Sequence, residues 1–352
     1  MTERSVSVLE SIDDVNRNQW NNLVTQSDLG TVFHRHEWLQ LVERKLDHEP
    51  RHVVVEKGSN PVAVFPNVYD RILVPGRESL SEYVPFRRLT SVTPGYGGPV
   101  ITGDEDACLE LLFEALGTLR DGKTLFHHTR MNELGYVRYA KTFRKFGYHP
   151  VGVHCRFRID LTQSWADILA NMESDHRRRI RKMQDHDVET RTSPLEDADV
   201  ERTYEAYARN MARTDGTPFP FSFFEGLADQ LGDRVVVFTT FVDGREVGRY
   251  VHLRDDERST LHYYLGAIGD EANFEYNPSQ LLHAAAIQWG QDNGYEYYDF
   301  GGTGAHYDDR LFEHKQGYGG EAIPTIQWRT GMSRVGWPLF KFAKGLYEKR
   351  TY

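Results

Sequence analysis

Apolar and polar residues recur along this chain with periods that predict an ordered series of strands and helices. In the first half the pattern predicts a strand at 6–9, helices near 13–25 and 36–46, and strands at 51–57 and 61–69. A Pro/Gly-rich stretch over 75–99 follows, then a helix near 104–120, a strand at 123–128, a helix at 134–146 and a strand at 148–153. The second half opens with a strand at 156–161 and a helix over 165–184, followed by a strand at 188–192 and helices at 197–212 and 221–230. Three strands, 235–242, 246–254 and 259–267, lead to a helix at 279–292. The end of the chain reads as a strand at 295–300, a helix at 308–316 and a strand at 320–328.

The two halves share residues as well as a plan. Each has a strand pair broken by a charged Gly turn, Glu56-Lys57-Gly58 and Val242-Asp243-Gly244. Each has a helix ending in a Gly cap, Asp121-Gly122 and Asn293-Gly294, before the next strand. Each leaves its last helix through Lys-x-Gly-Tyr, at Lys145–Tyr148 and Lys315–Tyr318. Three matches in one order point to an internal duplication. Two domains are therefore expected, 1–153 and 154–330, with a helical tail at 331–352. The plan is α/β with mixed sheets and long antiparallel hairpins, not the uninterrupted alternation of a doubly wound fold. No Gly-x-Gly-x-x-Gly follows the first strand and no Walker A sequence is present, which sets dehydrogenase and NTPase readings aside.

Composition sharpens the picture. A chain of 352 residues with 39% hydrophobic content has room for two cores. Its formal charge of -10 has the wrong sign for a DNA-binding protein. Only ten of the 42 basic residues are lysines, which fits either a salt-adapted acidic surface or a genome rich in arginine codons. The two cysteines, Cys108 and Cys155, are too sparse for a disulfide framework or a zinc cluster and read as small buried hydrophobes. No apolar run suits a signal peptide or a membrane span, so a cytoplasmic protein is expected. No metal site is expected either. His127-His128 point to opposite faces of a strand, and Pro50 breaks the helix that His48-Glu49-Pro50-Arg51-His52 would need as a zinc-protease motif.

Candidate chemistry concentrates in 263–320. Asn277 and Pro278 form a natural start for the helix that follows. Asp299 stands near a strand end just before Gly301-Gly302, where a backbone can approach a ligand closely; a cap on the turn is the alternative. Lys315 is the only lysine between Lys182 and Lys341. A lysine kept where arginine is the default suggests a need for a compact ammonium or a shiftable pKa, against the alternative of a solvated surface residue.

These residues carry a resemblance. Tyr263-Tyr264-Leu265-Gly266, the Asn277-Pro278 helix, Tyr297-Tyr298-Asp299-Phe300-Gly301-Gly302 and His314-Lys315-Gln316-Gly317-Tyr318-Gly319-Gly320 together resemble the C-terminal domain of FemAB-like proteins. These are tandem members of the GNAT acyltransferase superfamily. Phe33…Trp38 and Trp165 followed by Arg177-Arg178-Arg179-Ile180-Arg181-Lys182 resemble two further family marks.

The resemblance implies two tandem GNAT-like domains and transfer of an acyl or aminoacyl group to an amine. Lys315 then stabilises charge in the transition state, although His314 replaces the family's usual Phe beside it. Tyr263, Tyr264, Asp299 and Arg213 become the candidate substrate contacts. The donor is open between acyl-CoA and aminoacyl-tRNA, and no cofactor-binding residue is assigned. The acidic stretch 266–275 lacks the Gly pattern that holds a pyrophosphate, which argues against ordinary CoA binding in the second domain. Pro94-Gly95-Tyr96-Gly97-Gly98-Pro99 is either a second backbone cradle or a turn.

The resemblance implies a small-molecule or cell-envelope amine as acceptor. The basic run 176–182 is either a tRNA contact or a solvated helix face. The basic, aromatic segment 334–352 either rests on a membrane surface or docks on its own domain. A non-catalytic, ligand-binding tandem protein is the remaining alternative.

Overall fold

The computed structural model describes residues 4–46, 48–72, 85–306 and 308–342. The chain forms two units: residues up to Val153 together with those from Thr325 onward, and His154–Pro324.

In the first unit β1 (Arg4–Leu9), α1 (Arg17–Gln26) and α2 (His36–Lys45) precede the short β2 (Glu49–Pro50). Then come β3 (His52–Lys57), β4 (Asn60–Phe65), β5 (Asn67–Arg71), β6 (Arg87–Ser91) and β7 (Val100–Ile101). Helix α3 (Glu105–Thr118), β8 (Thr124–Met131), α4 (Ala140–Lys145) and β9 (His149–Asp160) follow. Strands β1-β3-β4-β7 form one antiparallel sheet, while β8-β6-β5-β2 form a second ladder in which only β6 and β8 are parallel. The single strand predicted at 61–69 is thus two strands in different sheets. Pro66, which lacks an N–H to give a ladder, sits at the break.

The second unit continues with α5 (Trp165–Asn171), α6 (Ser174–Lys182), β10 (Val188–Pro194), α7 (Val200–Arg213) and α8 (Phe221–Leu231). The hairpin strands β11 (Val235–Val242), β12 (Arg245–Asp255) and β13 (Thr260–Ala267) lead to α9 (Pro278–Asp292). The chain then forms β14 (Tyr297–Gly304), α10 (Arg310–Gln316) and β15 (Glu321–Gly331). The strand order is β10-β11-β12-β13-β14-β9, antiparallel except for β13 with β14. In both units one parallel strand pair is joined through a helix, α3 in the first and α9 in the second. This mixed α/β architecture is the one the sequence pattern predicted.

Three boundaries differ from the sequence reading. The strands expected at 148–153 and 156–161 are one continuous strand, β9. The helix expected over 165–184 is two, because Met172 is extended between α5 and α6. The last strand groups with the first unit from Thr325, not with 154–330: Trp328 is 4% exposed in the first unit's core and stacks on Phe143 at 5.2 Å. A short helix at 336–342 follows; the rest of the expected 331–352 tail lies outside the described residues.

Cys108 and Cys155 are both buried free thiols. His52 opens β3 and bonds Glu43 at 2.9 Å, so the His48–His52 sequence is strand and not a zinc-binding helix. Gly97 of the Pro94–Pro99 loop donates its N–H to the Arg130 carbonyl at 2.9 Å, tying that loop to β8 as a turn.

Candidate active site

The site is built where two parallel strands part. Strands β13 and β14 are in register only over Thr260–His262 and Tyr297–Asp299. Beyond that, β13 pairs with β12 alone and β14 with β9 alone. Strand β14 bulges between Asp299 and Gly302, and Gly301 there has φ +70, which favours glycine because it has no side chain to clash.

Asp299 holds this bulge from beneath. Its carboxylate accepts the Gly301 N–H at 2.7 Å and is paired with Arg156, and both partners are almost wholly buried. His262 lies between two carboxylates, 3.6 Å from Asp299 and 3.4 Å from Asp255. Burial alone would lower the His262 pKa, but these two carboxylates push it up to about 9. Burial opposes ionisation of Asp299, yet Arg156 and His262 hold its carboxyl well below the usual range. Asp299, expected as a substrate contact, is thus placed under the bulge and is 0% exposed.

Lys315 comes from α10 to the other side of the bulge. Its ammonium donates to the carbonyl oxygens of Gly301 at 3.1 Å and Gly302 at 2.9 Å. The side chain is 5% exposed, which removes the solvated-surface alternative. Burial lowers its pKa to about 8, with Asp299 acting in the opposite direction. Around it α9 and α10 gather polar groups that the sequence reading missed. Tyr250 donates to Ser279 at 2.8 Å, and Ser279 lies 3.4 Å from His314. His283 and His252 both bond the Tyr298 hydroxyl, at 2.7 and 2.9 Å. Burial drives the His314 pKa down to about 4 and that of His283 well below the usual value, so both rings are neutral near pH 7.

The remaining expected residues fall on both sides of β13. Tyr263 packs against Tyr250 and His283, with ring centroids 4.7 and 4.9 Å away. Tyr264, its neighbour in the strand, points to the opposite face, where Tyr207 of α7 influences its pKa. Arg213 is exposed at the end of α7, bonded to Asn210 at 2.8 Å and set over the Phe274 ring at 4.9 Å. Asn277 takes a left-handed conformation, φ 49, and its side chain does not cap α9; Pro278 does stand at the first helical positions, as expected.

The Lys-x-Gly-Tyr-Gly-Gly exit is a packing device as well. A Cβ on Gly317 would stand 2.5 Å from the His176 ring nitrogen, and His176 in turn packs on Tyr318 at 4.3 Å. In the basic run, Arg178 and Arg179 pair with Asp175 and Arg177 caps backbone carbonyls of α5 and Met172. Arg181 and Lys182 are exposed.

Lys315 lines neither of two cavities formed by described residues of this unit. One of about 350 Å³ is walled by Arg158, Asp160, Gln163, Asn171, Tyr297 and Tyr318 among others. The other, about 210 Å³, borders the acidic stretch and adds arginines the sequence did not place there: Arg202, Arg209 and Arg245 beside Glu246 and Asp270. Among the described residues no group of three or more His, Cys, Asp or Glu side chains could hold a metal.

Residues 170–309 match the family model described as an acetyltransferase (GNAT) domain, a stretch ending just short of Lys315. No curated protein matches the chain in sequence. Among solved structures, FemX is similar with TM-score 0.68 at 12% identity, covering 93% of this chain and 98% of that one. L-PGS from Bacillus licheniformis follows with TM-score 0.60 at 11% identity, covering 96% and 98%. A tandem GNAT protein from the clavulanic acid biosynthesis pathway gives TM-score 0.54 at 13% identity, covering 94% and 99%. The chain has the fold of FemAB-like, tandem GNAT proteins, with a GNAT domain in its second unit.

Proposed function

We propose that the protein is an N-acyltransferase whose second unit carries the reaction. The observation behind this reading is Lys315: an ammonium 5% exposed and aimed by two backbone carbonyls beside the parted strands. In acyl transfer to an amine, the amine nitrogen attacks the acyl carbonyl. The carbonyl oxygen gains negative charge, and the bond to the donor's thioester sulfur or ribose oxygen then breaks, the proton given up by the amine ending on that leaving group. A buried, preoriented cation facing that oxygen is worth about 100-fold or more in rate. Asp299 and Arg156 act as positioning residues, fixing the bulge on which Lys315 rests. Tyr263 contributes from the face of β13 that carries Tyr250 and His283, and Tyr264 and Arg213 contribute from α7 and the face it covers.

Acyl-CoA is the favoured donor. Arg202, Arg209 and Arg245 line the cavity beside 266–275, but each is ion-paired with a carboxylate, Glu246, Glu205 and Asp270, so a phosphorylated donor there would have to compete for them. The formal charge of -10 opposes a tRNA-sized polyanion, so the aminoacyl-tRNA reading stays second. The acceptor is a small-molecule or cell-envelope amine. The test is a transfer assay with radiolabelled acetyl-CoA and charged tRNA in parallel, over a panel of primary amines. Label moving from acetyl-CoA to an amine is the expected result; label moving only from tRNA moves the assignment to the second reading. No transfer, and no change in melting temperature with either donor, would leave a non-catalytic binding protein.

A further inference from the structure

The helix at 336–342 has two apolar faces, and only one of them is used. Inward, Trp337 and Phe340 pack on Phe126 of β8, with ring centroids 5.3 and 5.5 Å away. The amide of Gly336 is tied to the Ser333 hydroxyl at 3.0 Å. Outward, Val335, Leu339 and Phe342 are 71%, 64% and 69% exposed. Leu339 and Phe342, three residues apart, share one face of the helix, and Val335 stands in the turn just before it. The docking that the sequence left as one of two alternatives therefore accounts for Trp337 and Phe340 and leaves Val335, Leu339 and Phe342 in water.

Charge says what covers the stripe. Arg334, Lys341, Lys344, Lys349 and Arg350 fall in the last nineteen residues against a single acid, Glu348. Three of the chain's ten lysines are here, in a protein whose overall charge is -10. A basic sequence around an exposed apolar stripe matches an anionic bilayer surface, where lysine stems can lie on the acyl boundary and ammonium groups reach the headgroups. A second copy of the chain fits less well. The three side chains offer on the order of 400 Å², about half of the ~800 Å² each partner brings to a stable interface. The described helix is also far shorter than a membrane span, and no described helix could cross a membrane.

We propose that Val335, Leu339 and Phe342 form a peripheral docking surface for anionic lipid bilayers. The test is co-sedimentation of the full chain with vesicles of phosphatidylcholine, with and without phosphatidylglycerol. Binding to the anionic vesicles that weakens with salt is expected, and V335S/L339S/F342S should reduce it at least about tenfold. These side chains point to solvent, so the variant should keep the wild-type melting temperature; K341E supplies a second variant that tests charge without touching the stripe. No sedimentation, or sedimentation unchanged in the triple variant, overturns the proposal. So does a dimer in analytical ultracentrifugation that the triple variant abolishes, because the stripe would then be a self-association surface.

Discussion

Lys145 and Lys315 occupy the same step of two Lys-x-Gly-Tyr helix exits, yet only Lys315 turns inward. Lys145 bonds Glu110 at 2.5 Å with its side chain 59% exposed. Lys315 is buried on the Gly301 and Gly302 carbonyls. The repeat preserved the residue and the turn, while the β14 bulge gave the second lysine a different environment.

The buried ammonium has a pH signature. With its pKa lowered to about 8, Lys315 is mostly charged at pH 7 and loses its proton as the pH rises. The rate of acyl transfer should therefore fall through about pH 8, apart from any change due to the acceptor amine. A pH–rate profile for wild type and Lys315→Met checks this, and the step should be missing from the residual activity of the variant.

Asp299→Asn leaves the Arg156 guanidinium, 1% exposed, without its ionic partner. Breaking a buried pair from one side costs about 3–5 kcal/mol. Urea unfolding should show a loss of that order. Asp160→Asn, at an exposed carboxylate on β9, the strand of Arg156, should stay near wild type.

His262 makes stability depend on pH in a definite direction. Its folded pKa of about 9 lies above the unfolded value near 6.5, so the protonated ring favours the folded state. That contribution is complete below about pH 6.5 and fades as the pH rises through 9. Melting temperature should decline over this window in the wild type, and His262→Gln should flatten the decline while lowering stability at pH 6.

Gly317→Ala would place a methyl group 2.5 Å from the His176 ring. Overpacking of this kind costs about 1–3 kcal/mol. Thermal unfolding should register it, whereas alanine at Gly294, where no atom lies within 4 Å, meets no steric clash and only the φ +78 penalty.

Much of this molecule was legible in its sequence because the signals are local. Long periodic segments such as α9 and β11–β13 and both Lys-x-Gly-Tyr exits are set by neighbours in the chain. What escaped depends on distant partners. Arg156 and Asp299 are 143 residues apart, and no spacing rule connects them. Ser279 and His283 read as part of an apolar helix, although both belong to the polar network beside Lys315. Met172 broke a helix that periodicity extended to 184, and Trp328 completed a core whose first buried residue is Leu29, near the other end of the sequence. Lys315 was visible for a compositional reason, its rarity. Its burial was not, since the bulge that receives it is made by strand pairing.

The central claim is that the Lys315 ammonium stabilises the acyl-transfer transition state. The most direct measurement is the single-turnover rate of acyl transfer by Lys315→Met against wild type, with donor saturating and the fold checked by circular dichroism. A fall of about 100-fold or more with donor affinity unchanged is predicted. A rate within a few-fold of wild type would contradict the account.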